Sequence, residues 1–254
     1  MFTPKGKFSW YELMTSDTKA AGKFYSDVVG WSTHEMPGGG HDYTTFNIGD
    51  VGIAGMLNIP GHTAWVGYIS VDDVDAHIEK IVEAGGKLLR PATDVPGMLR
   101  FAVMSDPQGA AIVVFTPNPA MPSPARPAPP TPGTIGWHEL YTTDLDGGFA
   151  FYNKLFGWTK LSDMDMGAMG VYRIFDEGDH KQMGDGGMMT KAPHIPVSCW
   201  NFYFNVDSIG SAVERVNAGG GKVLNGPMQV PGGGWIINGQ DPQGAMFCLL
   251  SNKE

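Results

Sequence analysis

Residues 17–31 read DTKAAGKFYSDVVGW, and residues 144–158 read DLDGGFAFYNKLFGW. Both stretches open on an aspartate, carry Phe-Tyr in the middle and close on Gly-Trp. In the first stretch, the apolar residues at helical spacing are Ala21, Phe24, Tyr25 and Val28. This spacing predicts an amphipathic helix over 18–29, and the leading aspartate is well placed to cap it. Because the whole block recurs, the chain is predicted to be a tandem duplication.

Other short motifs recur in the same order in both halves. DPQGA occupies 106–110 and 241–245, and AGG occupies 84–86 and 218–220. Between the halves, the segment 117–133 contains eight prolines. Proline-rich segments are extended and semi-rigid, so we predict a linker there. The predicted domains are therefore 1–116 and 134–254.

Each half is predicted to consist of two smaller units. A tryptophan lies seven residues before an aspartate four times: Trp10 and Asp17, Trp65 and Asp72, Trp137 and Asp144, Trp200 and Asp207. Helical patterns follow these aspartates, among them 74–84 and 209–218. Short runs rich in β-branched and aromatic residues come next, separated by Gly and Pro turns. The pattern predicts four βαβββ units and an α+β fold, with the aspartates as helix caps.

Composition excludes several classes of protein. With 42% hydrophobic residues the 254-residue chain can build sizeable cores, so it is not disordered. The net charge of −9 argues against nucleic-acid binding, which needs a basic surface. No apolar run is long enough to span a membrane, and the first ten residues do not form a signal peptide. Since two cysteines do not make a disulfide framework, we expect a cytoplasmic protein.

The repeated Asp–helix–Gly-Trp block and the late Asp-Pro-Gln-Gly together resemble the vicinal oxygen chelate superfamily. This group contains glyoxalase I, bleomycin resistance proteins and extradiol dioxygenases. The resemblance covers both halves and is greatest to tandem two-domain glyoxalase-like proteins. It implies that two βαβββ units in each domain form a curved mixed sheet around a cavity. One fold serves many chemistries, so the resemblance says more about fold than about reaction.

The resemblance also implies positions for metal ligands, on the first and last strands of the units. The residues at those positions here are Trp10, Trp65, Val113, Trp137, Trp200 and Cys248. An indole nitrogen is only a donor, valine offers no lone pair, and one thiolate is not a site. We therefore predict no metal cofactor, which argues against glyoxalase and dioxygenase chemistry.

Aromatic side chains are predicted to line the cavities instead. If the family register holds, strand alternation turns these residues towards one face. The predicted ligand-binding residues are Trp10, Trp65, Trp137, Tyr141, Trp200, Phe202, Phe204 and Cys248. Such walls suit a small apolar or aromatic ligand. The alternative is that these side chains fill the cavities, which would leave an interaction protein.

Glu12 and Glu139 occupy matched positions, in WYEL and WHEL. A carboxylate on an apolar face can act as an acid/base, which would make the chain a lyase, isomerase or hydroxylase-like relative of glyoxalases and oxygenases. A structural glutamate, paired with backbone or arginine, is the alternative. The duplication supplies both halves of a family dimer in one chain, so we expect a monomer, with a dimer as the alternative.

Overall fold

The computed structural model describes residues 5–36, 43–120, 124–178 and 182–254. Positions 121–123 of the predicted linker therefore lie outside the described residues. In the first half the elements are β1 (Phe8–Thr15), α1 (Thr18–Val29), β2 (Ser32–Met36), β3 (Tyr43–Ile48), β4 (Val51–Asn58), β5 (Ala64–Ser70), α2 (Val74–Glu83), β6 (Lys87–Val95), β7 (Leu99–Ser105) and β8 (Ala111–Pro117). In the second half they are β9 (Ile135–Thr142), α3 (Leu145–Phe156), β10 (Thr159–Asp165), a short 3-10 helix (Gly167–Met169), β11 (Val171–Asp176), β12 (Gly186–Thr190), β13 (Cys199–Asn205), α4 (Ile209–Ala218), β14 (Lys222–Gln229), β15 (Trp235–Gln240) and β16 (Met246–Ser251).

The described residues contain two open, eight-stranded mixed sheets and four α-helices besides the short 3-10 helix, which confirms the α+β class. One sheet has the order β2-β3-β4-β1-β5-β8-β7-β6, and the other β10-β11-β12-β9-β13-β16-β15-β14. Each sheet takes its strands from one half of the sequence, and the two orders are equivalent. Of the helices in the described ranges, none is long and apolar enough to cross a membrane.

Helices α1 and α3 begin and end where the sequence predicts. Asp17 caps α1 by accepting from the Ala20 amide at 2.9 Å, and Asp144 caps α3 from the Gly147 amide at 3.0 Å. Both helices stop at a left-handed glycine, with φ of 90° at Gly30 and 76° at Gly157. A residue without Cβ adopts this conformation at little cost, which explains the Gly-Trp that closes each block.

Helices α2 and α4 begin at the predicted residues, Val74 and Ile209, but each is capped one residue after the predicted aspartate. Asp73 caps α2 and Ser208 caps α4, so the prediction of Asp72 and Asp207 as the caps is wrong. Trp65 and Trp200 therefore lie eight residues before their helix caps rather than seven. Because side chains alternate along a strand, a one-residue shift turns them to the opposite face of the sheet.

The chain divides into two compact units that do not coincide with the halves of the sequence. The first unit comprises Met1–Ser9, Val66–Ser123 and His138–Trp200, and the second comprises Trp10–Trp65, Pro124–Trp137 and Asn201–Glu254. Each unit thus combines segments from both sequence repeats. The domain boundaries 1–116 and 134–254 describe the two sequence repeats, and as domain boundaries they stay a prediction.

A buried hydrogen-bond chain, which we call the Trp–Tyr–Asp chain, recurs once in each unit. In the second unit, Trp65 Nε1 donates to Tyr25 Oη at 2.9 Å, and Tyr25 Oη donates to Asp241 Oδ2 at 3.0 Å. Asp241 Oδ1 also accepts from the amides of Gln243 and Ala245. Burial is the main cause that raises the pKa of both Tyr25 and Asp241 above their ordinary values.

The first unit contains the equivalent Trp–Tyr–Asp chain. Trp200 Nε1 donates to Tyr152 Oη at 2.8 Å, and Tyr152 Oη donates to Asp106 Oδ2 at 3.1 Å. Burial again raises the pKa of Tyr152 and of Asp106. The repeated Phe-Tyr, Trp and Asp-Pro-Gln-Gly motifs are therefore structural, because each chain joins an Asp from one sequence repeat to a Tyr from the other.

Candidate functional site

Strand β1 has one face turned towards α1 and one turned away from it. Leu13 pairs with Met56 of β4, and a Cβ on Gly22 of α1 would lie 3.0 Å from Met56 Cε. Leu13 and Met56 therefore face α1, whereas Trp10 and Glu12 project from the opposite face and are half-buried. We call this second surface the Trp10 face.

A tyrosine from β3 joins the tryptophan and the glutamate of the Trp10 face. Trp10 Nε1 donates to Tyr43 Oη at 3.1 Å, and the Tyr43 hydroxyl is also hydrogen-bonded to Glu12. Burial first, and the nearby Glu12 charge second, hold the pKa of Tyr43 well above its usual value of 10. Gly55 makes the contact sterically feasible, because a Cβ there would overlap the Tyr43 hydroxyl.

The second half repeats this arrangement in the same register. Tyr172 Oη donates to Glu139 Oε1 at 2.9 Å, and Glu139 is buried. A Cβ on Gly187 would overlap the Tyr172 ring. Glu12 pairs with Gly55 as Glu139 pairs with Gly187, and the tyrosines pair two residues further along, with Leu57 and Met189. We refer to the two constellations as the Glu–Tyr pairs.

The two tyrosines of these pairs are functional candidates that the sequence reading missed. Tyr43 and Tyr172 come from strands that carry no repeated motif. The sequence nevertheless contains a signal for these tyrosines. Each tyrosine lies on the strand before a glycine-containing strand, and these strands have equivalent places in the two repeats. Because each glutamate is hydrogen-bonded to a tyrosine, both hypotheses remain open: a structural glutamate and an acid/base.

Arg126 is a second residue that the sequence reading missed. It lies in the proline-rich linker, and its guanidinium carbon sits 5.5 Å from the centre of the Trp10 ring, a cation–π contact. Desolvation lowers the pKa of Arg126 below its usual value. The linker therefore brings a positive charge to the Trp10 face.

Trp137 and Tyr141 lie on β9, at the positions that alternate with those facing α3. A Cβ on Gly148 of α3 would lie 3.4 Å from Thr142 Oγ1, so Thr142 faces the helix. Trp137, Glu139 and Tyr141 therefore share the opposite face, and both aromatic residues are half-buried. Their expected common face is found, while their role in binding a ligand stays a prediction.

The structure places Trp65, Trp200, Phe202 and Phe204 in the cores rather than on a cavity wall. Trp65 and Trp200 point at helical tyrosines through the Trp–Tyr–Asp chains. Phe204 packs edge-on against Trp65, with ring centres 5.0 Å apart, and Phe202 packs 5.2 Å from Tyr11. The predicted face is wrong for these four residues because the one-residue shift of the α2 and α4 caps reverses the alternation.

Cys248 lies on the face of the second sheet opposite to Trp200. It pairs across the sheet with Tyr203, and its Sγ accepts from Asn238 Nδ2 at 3.0 Å. Val113, at the equivalent position in the first half, is buried and pairs with Tyr68. Within the residues that the structure describes, no group of three or more His, Cys, Asp or Glu side chains could hold a metal ion.

Comparison with known proteins identifies relatives of the whole chain. A family model described as "Glyoxalase/Bleomycin resistance protein/Dioxygenase superfamily" matches residues 7–114 and 134–249. The "Putative glyoxylase CFP32" of Mycobacterium tuberculosis is 34% identical, with 97% of this chain and 95% of that protein covered. The "Anthracycline biosynthesis protein DauV" of Streptomyces sp. is 29% identical, with 100% and 95% covered.

Solved structures share the fold. The Mn(II)-bound glyoxalase from Novosphingobium aromaticivorans superposes with a TM-score of 0.68 at 16% identity, covering 100% of this chain and 84% of that one. The 2,3-dioxygenase LapB from Pseudomonas sp. KL28 gives a TM-score of 0.66 at 13% identity, covering 98% and 92%. At these identities the likeness concerns the fold and not the reaction.

Proposed function

Because the chain belongs to the glyoxalase/bleomycin resistance protein/dioxygenase superfamily, we propose that it binds a small aromatic molecule on the Trp10 face without a divalent metal. The observation that carries the proposal is the contact of Trp10 with Tyr43, which also bonds Glu12. A half-buried indole offers a flat apolar surface, and the carboxylate–phenol pair beside it can orient a polar group of the ligand.

The side chains at the family's ligand positions do not fit a divalent ion. Trp65 and Trp200 are buried, and their N–H groups donate to tyrosines. With the α2 and α4 caps one residue later, Val66 and Asn201 occupy the positions seven residues before a cap. Valine has no donor atom for a metal, and one carboxamide with one thiol is too small a ligand set.

Two further observations support the cellular compartment and the kind of ligand that we propose. Cys199 and Cys248, both among the described residues, remain thiols, which favours the predicted reducing cytoplasm. The relative DauV is named for anthracycline biosynthesis, and anthracyclines are aromatic compounds. We also propose a monomer, because the duplicated chain contains both repeats of the Glu–Tyr pair.

Binding of 2-naphthol, followed by isothermal titration calorimetry, tests the proposal. We expect Trp10→Leu to weaken binding by about fivefold, since an aromatic contact contributes about 1 kcal/mol beyond burial. Trp235→Leu is the matched control, because Trp235 of β15 is also half-buried and should leave affinity unchanged. Equal losses in both variants, or loss of binding after EDTA treatment, would contradict the proposal. No heat from a panel of aromatic probes would favour the filled-cavity interaction protein.

A second candidate function is catalysis by a Glu–Tyr pair, as a lyase, isomerase or hydroxylase-like enzyme. The observation that favours it is the 2.9 Å bond between Tyr172 Oη and Glu139 Oε1 at a buried carboxylate. Such a pair can hold or pass a proton at Oε1. Glu139→Gln should then abolish turnover of an aromatic ligand and retain its binding, whereas unchanged turnover would reject Glu139 as the acid/base.

A further inference from the structure

We propose that Arg126 of the proline-rich linker selects an anionic ligand on the Trp10 face, namely a hydroxylated aromatic carboxylate. This inference rests on the proposed function and deepens it by naming the ligand class. It makes the linker part of the binding site rather than a spacer between repeats.

The first support is the isolation of this charge in the sequence. Arg126 is the only Asp, Glu, Lys or Arg between Asp106 and Glu139. The surrounding linker is rich in Pro and Ala, which can cover a surface but cannot bind an ion. A single cation in such a segment, seated at 5.5 Å over the Trp10 ring, therefore lies where a ligand carboxylate could meet it.

The second support is the chemistry of the guanidinium group. It carries five N–H donors in a rigid fork that matches a carboxylate, so it can bind a ligand anion in addition to its partners in the protein. Bonds of this kind are about twice as strong as neutral ones. Partial desolvation lowers the pKa of Arg126, and an anion beside the guanidinium would favour its charged form.

The third support is the complementary polarity of the neighbouring pair. The Tyr43 hydroxyl bonds Glu12, and the Glu12 carboxylate can accept from a hydroxyl of the ligand. The Trp10 face therefore presents a flat ring, an acceptor and a cation. This combination fits an aromatic ring that bears both a hydroxyl and a carboxylate group.

The test compares 3-hydroxy-2-naphthoate with its neutral amide, by isothermal titration calorimetry on the full chain. We expect wild type to prefer the naphthoate, and Arg126→Gln to weaken its binding about tenfold or more while the amide changes less than about twofold. Arg126→Lys, which keeps the charge without the fork, should lie between the two. Arg90→Gln is the matched control, because Arg90 is also an exposed arginine over an aromatic ring, 5.1 Å from the centre of Phe101, but that ring belongs to β7 and not to the Trp10 face.

The outcomes separate the inference from the proposed function. Equal weakening of both probes in Arg126→Gln would show that Arg126 only packs on Trp10. If Arg126→Gln and Arg126→Lys still preferred the naphthoate over the amide as wild type does, Arg126 would not recognise the charge of the ligand. Either result overturns the inference alone. Binding of neither probe to wild type would overturn the proposed function and this inference with it.

Discussion

Two glycines determine whether the Glu–Tyr pairs can form. Gly55 and Gly187 lie directly under the tyrosines, which cross the sheet surface to reach the glutamates of the neighbouring strands. A glycine in a strand interior usually costs stability, because it loses more conformational freedom on folding. Here the missing side chain is the space that the tyrosine ring occupies.

Replacing Gly187 with alanine should therefore break the second Glu–Tyr pair. The new Cβ would overlap the Tyr172 ring, and we expect a loss of about 1–3 kcal/mol in the free energy of unfolding, measured by urea denaturation. Gly210→Ala is the control, because its Cβ would have 3.8 Å to the nearest atom and lies within α4. That variant should be neutral or slightly more stable, and a similar loss in both would contradict the steric argument.

At the scale of elements, the sequence predicts the helices well and the facing of two strands poorly. The bounds predicted for α1 and α4 are the observed ones, because apolar periodicity and a following glycine are local signals. The face of Trp65 depends on one residue between the strand and the cap of α2. Asp72 and Asp73 are both good capping residues, so the sequence alone gives no basis for choosing between them.

The two neighbouring aspartates offer a direct test of that offset. Asp73 accepts from the Ala76 amide at 3.1 Å, so Asp73→Ala should cost about 1 kcal/mol of unfolding free energy. Asp72 is exposed and pairs with Lys5, an arrangement that contributes little, so Asp72→Ala should cost less than about 0.5 kcal/mol. Thermal and urea unfolding of both variants would measure this, and the reverse order would place the cap at Asp72.

For the whole molecule, the sequence identifies the repeated motifs but not their contacts. Phe-Tyr, Trp and Asp-Pro-Gln-Gly stand far apart in the chain, and each Trp–Tyr–Asp chain uses members of both repeats. Nothing local distinguishes a Tyr25–Asp106 pairing from the observed Tyr25–Asp241 pairing. Sequence patterns do not point to Arg126 for the same reason, because only folding brings the linker to Trp10.

The Trp–Tyr–Asp chains predict how stability depends on pH. The folded state raises the pKa of Asp106 and Asp241 above 3.8, so it holds their protons more tightly than the unfolded state does. Their contribution to the free energy of unfolding should fall as pH rises from about 3.8 through the folded-state pKa, and then level off. Urea unfolding from about pH 4 to pH 7 should show this fall in wild type, and less of it in a double Asp106→Asn, Asp241→Asn variant. Parallel curves for the two proteins would argue against buried, proton-retaining carboxyls.

The division of the chain into two units also has a consequence for its biosynthesis. The first unit contains no residue beyond Trp200, so it can close while the ribosome is still adding the rest. Segment Trp10–Trp65 is made early, yet its partners in the second unit include Asn201–Glu254. At about 5–20 residues per second, this apolar segment waits on the order of ten seconds for them. During synthesis, this segment would therefore need chaperone protection until Asn201–Glu254 has been made.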